Sequence, residues 1–240
     1  MNLLTTLQPQ YAAKVPVTTN TQTTYGAKDI KKEKRHETKV RAAALSGSVI
    51  GSGLFLLAMA KKASKGDFNY SKLMKVNFKN PIKVMGLATS SIIGGLTGGL
   101  LADKKSERKP KLKEAIHQFI GNVFLPISIV GTAVSAIEKR NFPKSKEIIL
   151  SGIASILGVG TGVVGGNFIA EKLNNKIFKE DDKRKLGVKD FGIHIDDIMT
   201  LVALTSNGPK IQSFISKALP AIFLICGFEA GTKNNKEKTL

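Results

Sequence analysis

Charged residues in this chain fall in blocks, and four long stretches between the blocks contain no charge at all. Those stretches are residues 42–60, 84–102, 115–137 and 148–170. A helix needs about 20 mostly apolar residues to cross the hydrocarbon core of a bilayer. A soluble helix instead carries charges every few residues along the face that meets water. The pattern therefore predicts an all-α fold, a polytopic transmembrane helical bundle.

Two weaker apolar segments follow, at 195–206 and 211–229. The first is short and stops at Asn207-Gly208-Pro209, and the second carries one charge, Lys217. The pair is compatible with two spans, with a re-entrant hairpin, or with a short helix that leads to a single span. We predict six membrane elements, of which the fifth is the least defined.

Two polar tails flank this membrane domain of residues 42–231. Residues 1–41 are rich in Thr, Gln and Asn, end in a mostly basic run and show no helical apolar period. Such a composition buries too little apolar surface to order a chain, so we expect a disordered tail. Residues 232–240 form a basic C-terminal tail.

The chain is strongly basic, with a formal net charge of +19. Nucleic-acid binders usually interleave basic and aromatic residues, but this chain has no Trp and three Tyr, and its lysines bracket the apolar stretches. We therefore expect the bilayer, with anionic lipid headgroups at the basic loops, as the partner, and no nucleic acid. A homo-oligomer is compatible with the sequence.

The basic residues also predict an orientation. With six crossings, the segments on the side of the N-terminus hold 24 Lys and Arg, and the loops on the other side hold 12. Because Lys and Arg concentrate in cytoplasmic loops, both termini are predicted to be cytoplasmic, in a plasma or inner membrane. The basic loop 61–83 is interpreted as an interfacial helix, with Phe78 among the side chains that dip into the headgroup region.

Small residues recur every fourth position in three of the predicted spans, and so line one side of each helix. The rows are Gly47 and Gly51 in the first span, Gly86, Ser90, Gly94 and Gly98 in the second, and Ala154, Gly158, Gly162 and Gly166 in the fourth. They resemble the glycine zippers of many unrelated membrane proteins, in which close backbone approach holds helices together. The rows predict that spans two and four are inner helices, packed on each other or on span one. Lining of a pore is the alternative use.

Two internal repeats compete. Residues 98–104 resemble 165–172, which would make the first two hairpins duplicates of like orientation. Alternatively, Pro126 and its surroundings resemble Pro220 and its surroundings, which would give two inverted three-helix halves, as in many transporters. Chance similarity between small-residue-rich segments is the third interpretation.

A few polar residues and prolines lie within the predicted spans. His117, Gln118 and Asn122 begin span three and would form a functional site if they were buried there, but we expect them at the interface, near Lys111, where water is available. Pro126 and Pro220 interrupt spans three and six, and each is expected to bend its helix. A hinge or an ion-coordinating break is the alternative.

The sequence lacks the signatures of catalysis. It has one cysteine, Cys226, and its compact metal-capable group, His194, Asp196 and Asp197, matches no ligand spacing of a known metal motif. We expect no enzyme activity, no catalytic residues, no cofactor and no metal. Three function classes remain: a membrane scaffold or packing protein, a small-solute channel or transporter, and, with least support, a soluble basic nucleic-acid-binding protein.

Overall fold

A computed structural model describes residues 21–63, 78, 80–180 and 209–234. These residues form helices and their connections, with no strand among them. The helices are α1 (Thr21–Ala63), α2 (Pro81–Ala102), a short 3-10 turn (Lys105–Glu107), α3 (Arg108–His117), a π-helical segment (Gln118–Phe124), α4 (Leu125–Glu138), α5 (Lys144–Phe178) and α6 (Pro209–Thr232).

Four helical stretches are long and apolar enough to cross a membrane: Asp29–Lys62, Pro81–Ala102, Lys105–Glu138 and Lys144–Phe178. They contain the four charge-free stretches, so the prediction of an all-α chain with four membrane-length helices is confirmed. Ala218–Thr232, within α6, is a shorter apolar helix. The predicted element at 195–206 lies outside the described residues.

Helix α1 begins before its apolar stretch. It includes residues 21–41, which we predicted to be disordered, whereas residues 1–20 lie outside the described part. The segment is rich in Lys, Glu and Arg, which favour helix. Because the apolar helix that follows has already formed its first turns, extending it by these residues avoids the cost of nucleation.

Helix α2 has a well-defined start. The Asn80 side chain accepts a hydrogen bond from the backbone N–H of Ile82 (2.9 Å), and Pro81 occupies the first helical position. Phe78, just before this cap, is 4% exposed and belongs to the same core cluster as Val84 and Leu87. Its expected place among lipid headgroups is therefore wrong, because its side chain is buried in the core.

The third of these apolar stretches, Lys105–Glu138, changes its helical winding. It runs as α3, widens into the π-helical segment, and returns to α-helix at Leu125, whose N–H bonds to the Ile120 carbonyl five residues earlier. Pro126 follows directly; it has no N–H to offer, and its ring would clash with the carbonyl four residues before it. The wider turn accommodates both constraints. Pro220, by contrast, lies inside α6.

Close contacts define the relative directions of the helices. Gly98, Gly94 and Gly51 approach Ala43, Gly47 and Ser90 respectively, so α1 and α2 are antiparallel. Gly158, Gly162 and Gly166 approach Val130, Pro126 and Gly121, so α5 is antiparallel to α4. Helices α2 and α6 are parallel, because Ser91 contacts Phe223 and Gly99 contacts Gly231.

The buried core and the exposed surface draw on different helices. The buried core cluster is made mainly by α2, the third stretch and α6. Helices α1 and α5 carry most of the exposed large apolar side chains, such as Ile50 and Leu54 on α1 and Ile156 and Leu157 on α5, each more than 60% exposed.

Candidate functional site: close helix contacts and a buried polar network

The antiparallel contact between α1 and α2 brings backbone against backbone. A Cβ added at Gly47 would overlap the carbonyl oxygen of Gly94, and one added at Gly94 would overlap the carbonyl oxygen of Gly47. Equivalent overlaps arise for Gly51 against Ser90 and for Gly98 against Ala43. The predicted rows of spans one and two therefore face each other. Gly86 lies on the same side and faces the Phe55 ring, 2.6 Å from a built Cβ.

A second small-residue row on α2, one position along from the first, contacts α6. A Cβ at Gly95 would overlap the Gly227 carbonyl, and one at Gly99 would overlap the Gly231 carbonyl. Ser91 Oγ donates to the Phe223 carbonyl oxygen (2.8 Å). We did not predict this row, although Gly227 and Gly231 repeat at the same four-residue spacing as Gly95 and Gly99.

The small-residue row of α5 contacts the third stretch. A Cβ at Gly162 would lie 2.5 Å from Pro126 Cα, and one at Gly166 would lie 2.7 Å from the Ile120 carbonyl oxygen. We expected this row to face span one or span two, and that expectation is wrong. A row of small residues permits a close approach but does not specify which helix approaches. Helix α5, whose outer face exposes many apolar side chains, is peripheral rather than inner.

Not every small residue makes a close contact. A Cβ added at Gly53, Gly152 or Gly160 would meet nothing within 4 Å. Ala154, a predicted member of the α5 row, is partly buried.

The polar residues at the start of the third stretch form a buried network. Gln118 Nε2 donates to Glu114 Oε1 (2.9 Å) and to Glu229 Oε2 (2.7 Å), while Asn122 Nδ2 donates to Gln118 Oε1 (2.9 Å). Gln118 is fully buried, and Glu114 and Asn122 nearly so. The network joins α3 and the π-helical segment to the C-terminal part of α6.

We expected His117, Gln118 and Asn122 at the interface, within reach of water, but the structure buries all three. We did not predict a role for Glu229, which lies directly after the apolar run, where flanking charges are common. One signal was available: Glu229 is followed by a further small-residue helical turn rather than by a polar tail.

A buried lysine anchors the same end of the bundle. Lys111 is 0% exposed and pairs with Asp103 Oδ2 (2.8 Å), at the end of α2, and its Nζ donates to the Lys233 carbonyl (2.8 Å), beyond α6. A charge removed from water is stabilised only when such partners replace its hydration. Lys111 therefore ties the ends of α2 and α6 to the start of α3.

A second ion-pair group joins α3 to the end of α5. Lys109 and Lys113 both pair with Glu180, the latter at 2.7 Å, and both ammonium groups lie within 6 Å of the Phe178 ring centroid. The hydrogen bond from Lys109, and then that from Lys113, lower the pKa of the Glu180 carboxyl from its ordinary 4.5 to about 2. Asn174 Nδ2, on α5, donates to the Lys113 carbonyl (3.2 Å).

The chemistry available within this network is hydrogen bonding and ion pairing. No group of three or more His, Cys, Asp and Glu able to hold a metal occurs among the residues that the structure describes. Cys226 is fully buried in the core. His194, Asp196 and Asp197 lie outside the described ranges.

Comparison with known proteins gives no relative: no family model, no curated protein and no solved structure matches this chain.

Proposed function

We propose that this chain is a multi-pass integral membrane protein that acts as a scaffold, with helices locked together through glycine-zipper-like contacts. The observation that carries the proposal is the backbone-to-backbone contact of α1, α2 and α6. Helix α2 presents two adjacent small-residue rows, one to α1 and one to α6. Backbone-to-backbone contact allows these three helices one close-packed arrangement, which suits a rigid structural element.

The distribution of apolar side chains supports insertion in a bilayer. Outward-facing Leu, Ile and Val side chains run along α1 and α5, the two most peripheral long helices. An apolar surface of this extent would be costly in water, and it matches what lipid chains require. Lysines and arginines follow at the helix ends, where anionic headgroups would attract them.

Helix directions support six crossings with both ends on one side. The chain leaves α5 near Lys113, where Glu180 is bound, and α6 finishes near Lys111 at that same end. Because α6 runs toward this end, it begins at the opposite one. Glu180 and Pro209 therefore lie at opposite ends of the bundle, which favours the predicted fifth element at 195–206 as a crossing. Both termini would then lie on the same side of the membrane. The excess of Lys and Arg on that side assigns it to the cytoplasm.

Two glycine substitutions test the scaffold proposal. One replaces Gly94, which lies in the contact between α1 and α2, and the other replaces Gly53 on α1, which borders open space. Gly94→Leu places a side chain where the Gly47 carbonyl lies, so we expect a destabilised bundle, measured as a fall of about 10 °C or more in the melting temperature of the purified protein in detergent. Gly53→Leu, which would meet nothing within 4 Å, is the matched control and should melt as the wild type does.

Extraction of membranes with alkaline carbonate tests insertion independently. The wild-type chain should stay with the membrane pellet. Release into the supernatant would refute a multi-pass protein, and equal melting temperatures for the two glycine variants would refute the zipper-like packing.

A small-solute channel or transporter is the second candidate, and the buried polar network favours it. Ionisable side chains within membrane helices commonly mark pathways for ions or protons. Glu114, Gln118 and Glu229 lie within such helices, and the π-helical segment, a type of distortion frequent at functional sites, carries two members of the network.

Isosteric changes in the network separate the two candidates. For a transporter, Glu229→Gln and Asn122→Leu should abolish solute or proton flux in proteoliposomes while the melting temperature changes little. For a scaffold, wild-type vesicles should show no flux above that of protein-free vesicles, and the same variants should act on stability alone.

A further inference from the structure

One exposed row of residues on α5 changes from apolar to basic within about one turn. Residues four apart lie on the same side of a helix. The row has a member at every fourth position, and its members are Ile156, Gly160, Val164, Phe168, Lys172 and Lys176. Every member is exposed, so no other described helix covers the row. We call it the outer row of α5, and its apolar part ends between Phe168 and Lys172.

The length of the exposed apolar part of α5 places this change at the surface of a bilayer. Ile148 and Phe168 are both more than half exposed, and they are twenty positions apart. Twenty residues of α-helix rise about 30 Å, which is the thickness of the hydrocarbon core. Lys146 and Lys172 follow shortly beyond the two ends. In a chain inserted as proposed, Lys172 therefore lies at the level of the headgroups.

The two lysines of the outer row can donate hydrogen bonds to a headgroup. The Lys172 ammonium group lies 4.4 Å from the centroid of the Phe168 ring, where the apolar part ends. The ring occupies one side of that ammonium group, which has three N–H donors. Lys172 and Lys176 are both exposed, and they are neighbours on the helix surface. One phosphate group can therefore accept hydrogen bonds from both.

Acidic side chains near this end do not neutralise the two lysines. Glu180 pairs with two lysines of α3. Glu171 is partly buried, and as the direct neighbour of Lys172 it leaves the helix about 100° away. Within the part of the chain that the structure describes, no ion pair engages Lys172 or Lys176. The charged residues that follow Glu180 lie outside the described residues.

We propose that the outer row of α5 binds one anionic phospholipid of the surrounding bilayer. The phosphate accepts hydrogen bonds from Lys172 and Lys176, and an acyl chain lies along the apolar members of the row. A Cβ added at Gly160 would meet nothing within 4 Å, so this position leaves a gap in the row that an acyl chain can enter. A zwitterionic lipid would bring its own cationic group to the same lysines and should bind less well. The inference rests on the proposed insertion in a bilayer and names a lipid partner for it.

A single tryptophan makes the lipid contact measurable, because the chain contains none. Val164→Trp places an indole in the outer row, and brominated acyl chains quench its fluorescence on contact. The full-length variant is reconstituted in vesicles of equal phosphatidylglycerol and phosphatidylcholine, of which only one is brominated at a time. We expect quenching to report a local ratio of anionic to neutral lipid at least about fivefold above the bulk ratio, the effect of roughly one lysine at an anionic surface.

Three pairs of substitutions in this tryptophan background assign the preference to the outer row. Lys172→Gln with Lys176→Gln should return the local ratio to the bulk value. Lys172→Arg with Lys176→Arg keeps both charges and should keep the preference. Lys104→Gln with Lys105→Gln is the matched control for net charge, since it removes two exposed lysines that do not belong to α5, and it should leave the ratio unchanged.

Several outcomes would overturn the lipid site. Equal quenching by the two brominated lipids would show that the row has no preference, and no quenching by either would show that protein covers it. Equal loss of the preference in the two glutamine variants would assign it to net charge. Displacement of the preference by inorganic phosphate would assign the site to a soluble anion. Carbonate extraction of the same variants reports on insertion: a retained chain without preference refutes the lipid site alone, whereas a released chain refutes the membrane proposal as well.

Discussion

At the residue scale, the same amino acid has opposite consequences at different positions of one helix. Gly47 and Gly51 lie where α1 touches α2, and a methyl group there would overlap a backbone carbonyl; Gly53, half a turn away, borders open space. The four-residue spacing of Gly47 and Gly51 distinguishes these contact glycines from Gly53. The sequence predicted those positions, but not that Gly95 and Gly99 serve a second helix, because two adjacent rows on α2 read as one glycine-rich run.

A titration at the residue scale tests the junction between α3 and α5. Because Lys109 and Lys113 lower the pKa of Glu180 to about 2, the carboxylate should titrate near pH 2 rather than near 4.5 in the folded protein. A depressed folded pKa means that its contribution to stability is complete above pH 4.5 and is lost as the pH falls through 2. The midpoint is measurable from the Glu180 side-chain carbon in an NMR titration.

Removal of the two cations is the control for that titration. Lys109→Gln with Lys113→Gln should raise the Glu180 midpoint toward 4.5. A wild-type midpoint that already lies near 4.5 would show that the ion pairs do not persist in solution.

At the scale of the element, charge-free stretches predict the apolar part of a helix and not its full length. Helix α5 continues to Phe178 and α1 starts at Thr21, in both cases through charged residues. Pro126 indicated an irregularity in the third span, but the choice between a kink and a π-helical turn depends on neighbouring helices. The sequence likewise could not predict which helix packs against the small-residue row of α5, because a groove of small residues accepts any helix that tertiary packing brings to it.

The buried network shows the same limit for the candidate site. Gln118 and Asn122 were identified as polar residues on one helix face. The acidic partner of Gln118, Glu229, lies more than 100 residues later in the chain, and only the packing of α6 brings it to this network. The repeat hypotheses, hairpin duplication and inverted halves, remain predictions.

At the scale of the whole molecule, four segments that the sequence assigned to one side of the membrane meet at one end of the bundle. Asp103 pairs with Lys111, Lys113 with Glu180, and Lys111 with the carbonyl of Lys233. The residues just after Arg41 reach the same end, because Ala43 lies against Gly98. The connection between α4 and α5 lies at the other end, where Gly131 approaches Pro81.

Cysteine accessibility in intact cells tests the central claim, a bundle with six crossings and both termini inside. Single cysteines replace Ser106, Lys144 and Thr239 in turn, in a Cys226→Ser background, and a membrane-impermeant thiol reagent is applied before and after lysis. We predict labelling of position 144 in intact cells, and labelling of 106 and 239 only after lysis. Labelling of 239 together with 144 in intact cells, or equal labelling of 106 and 144, would contradict the topology.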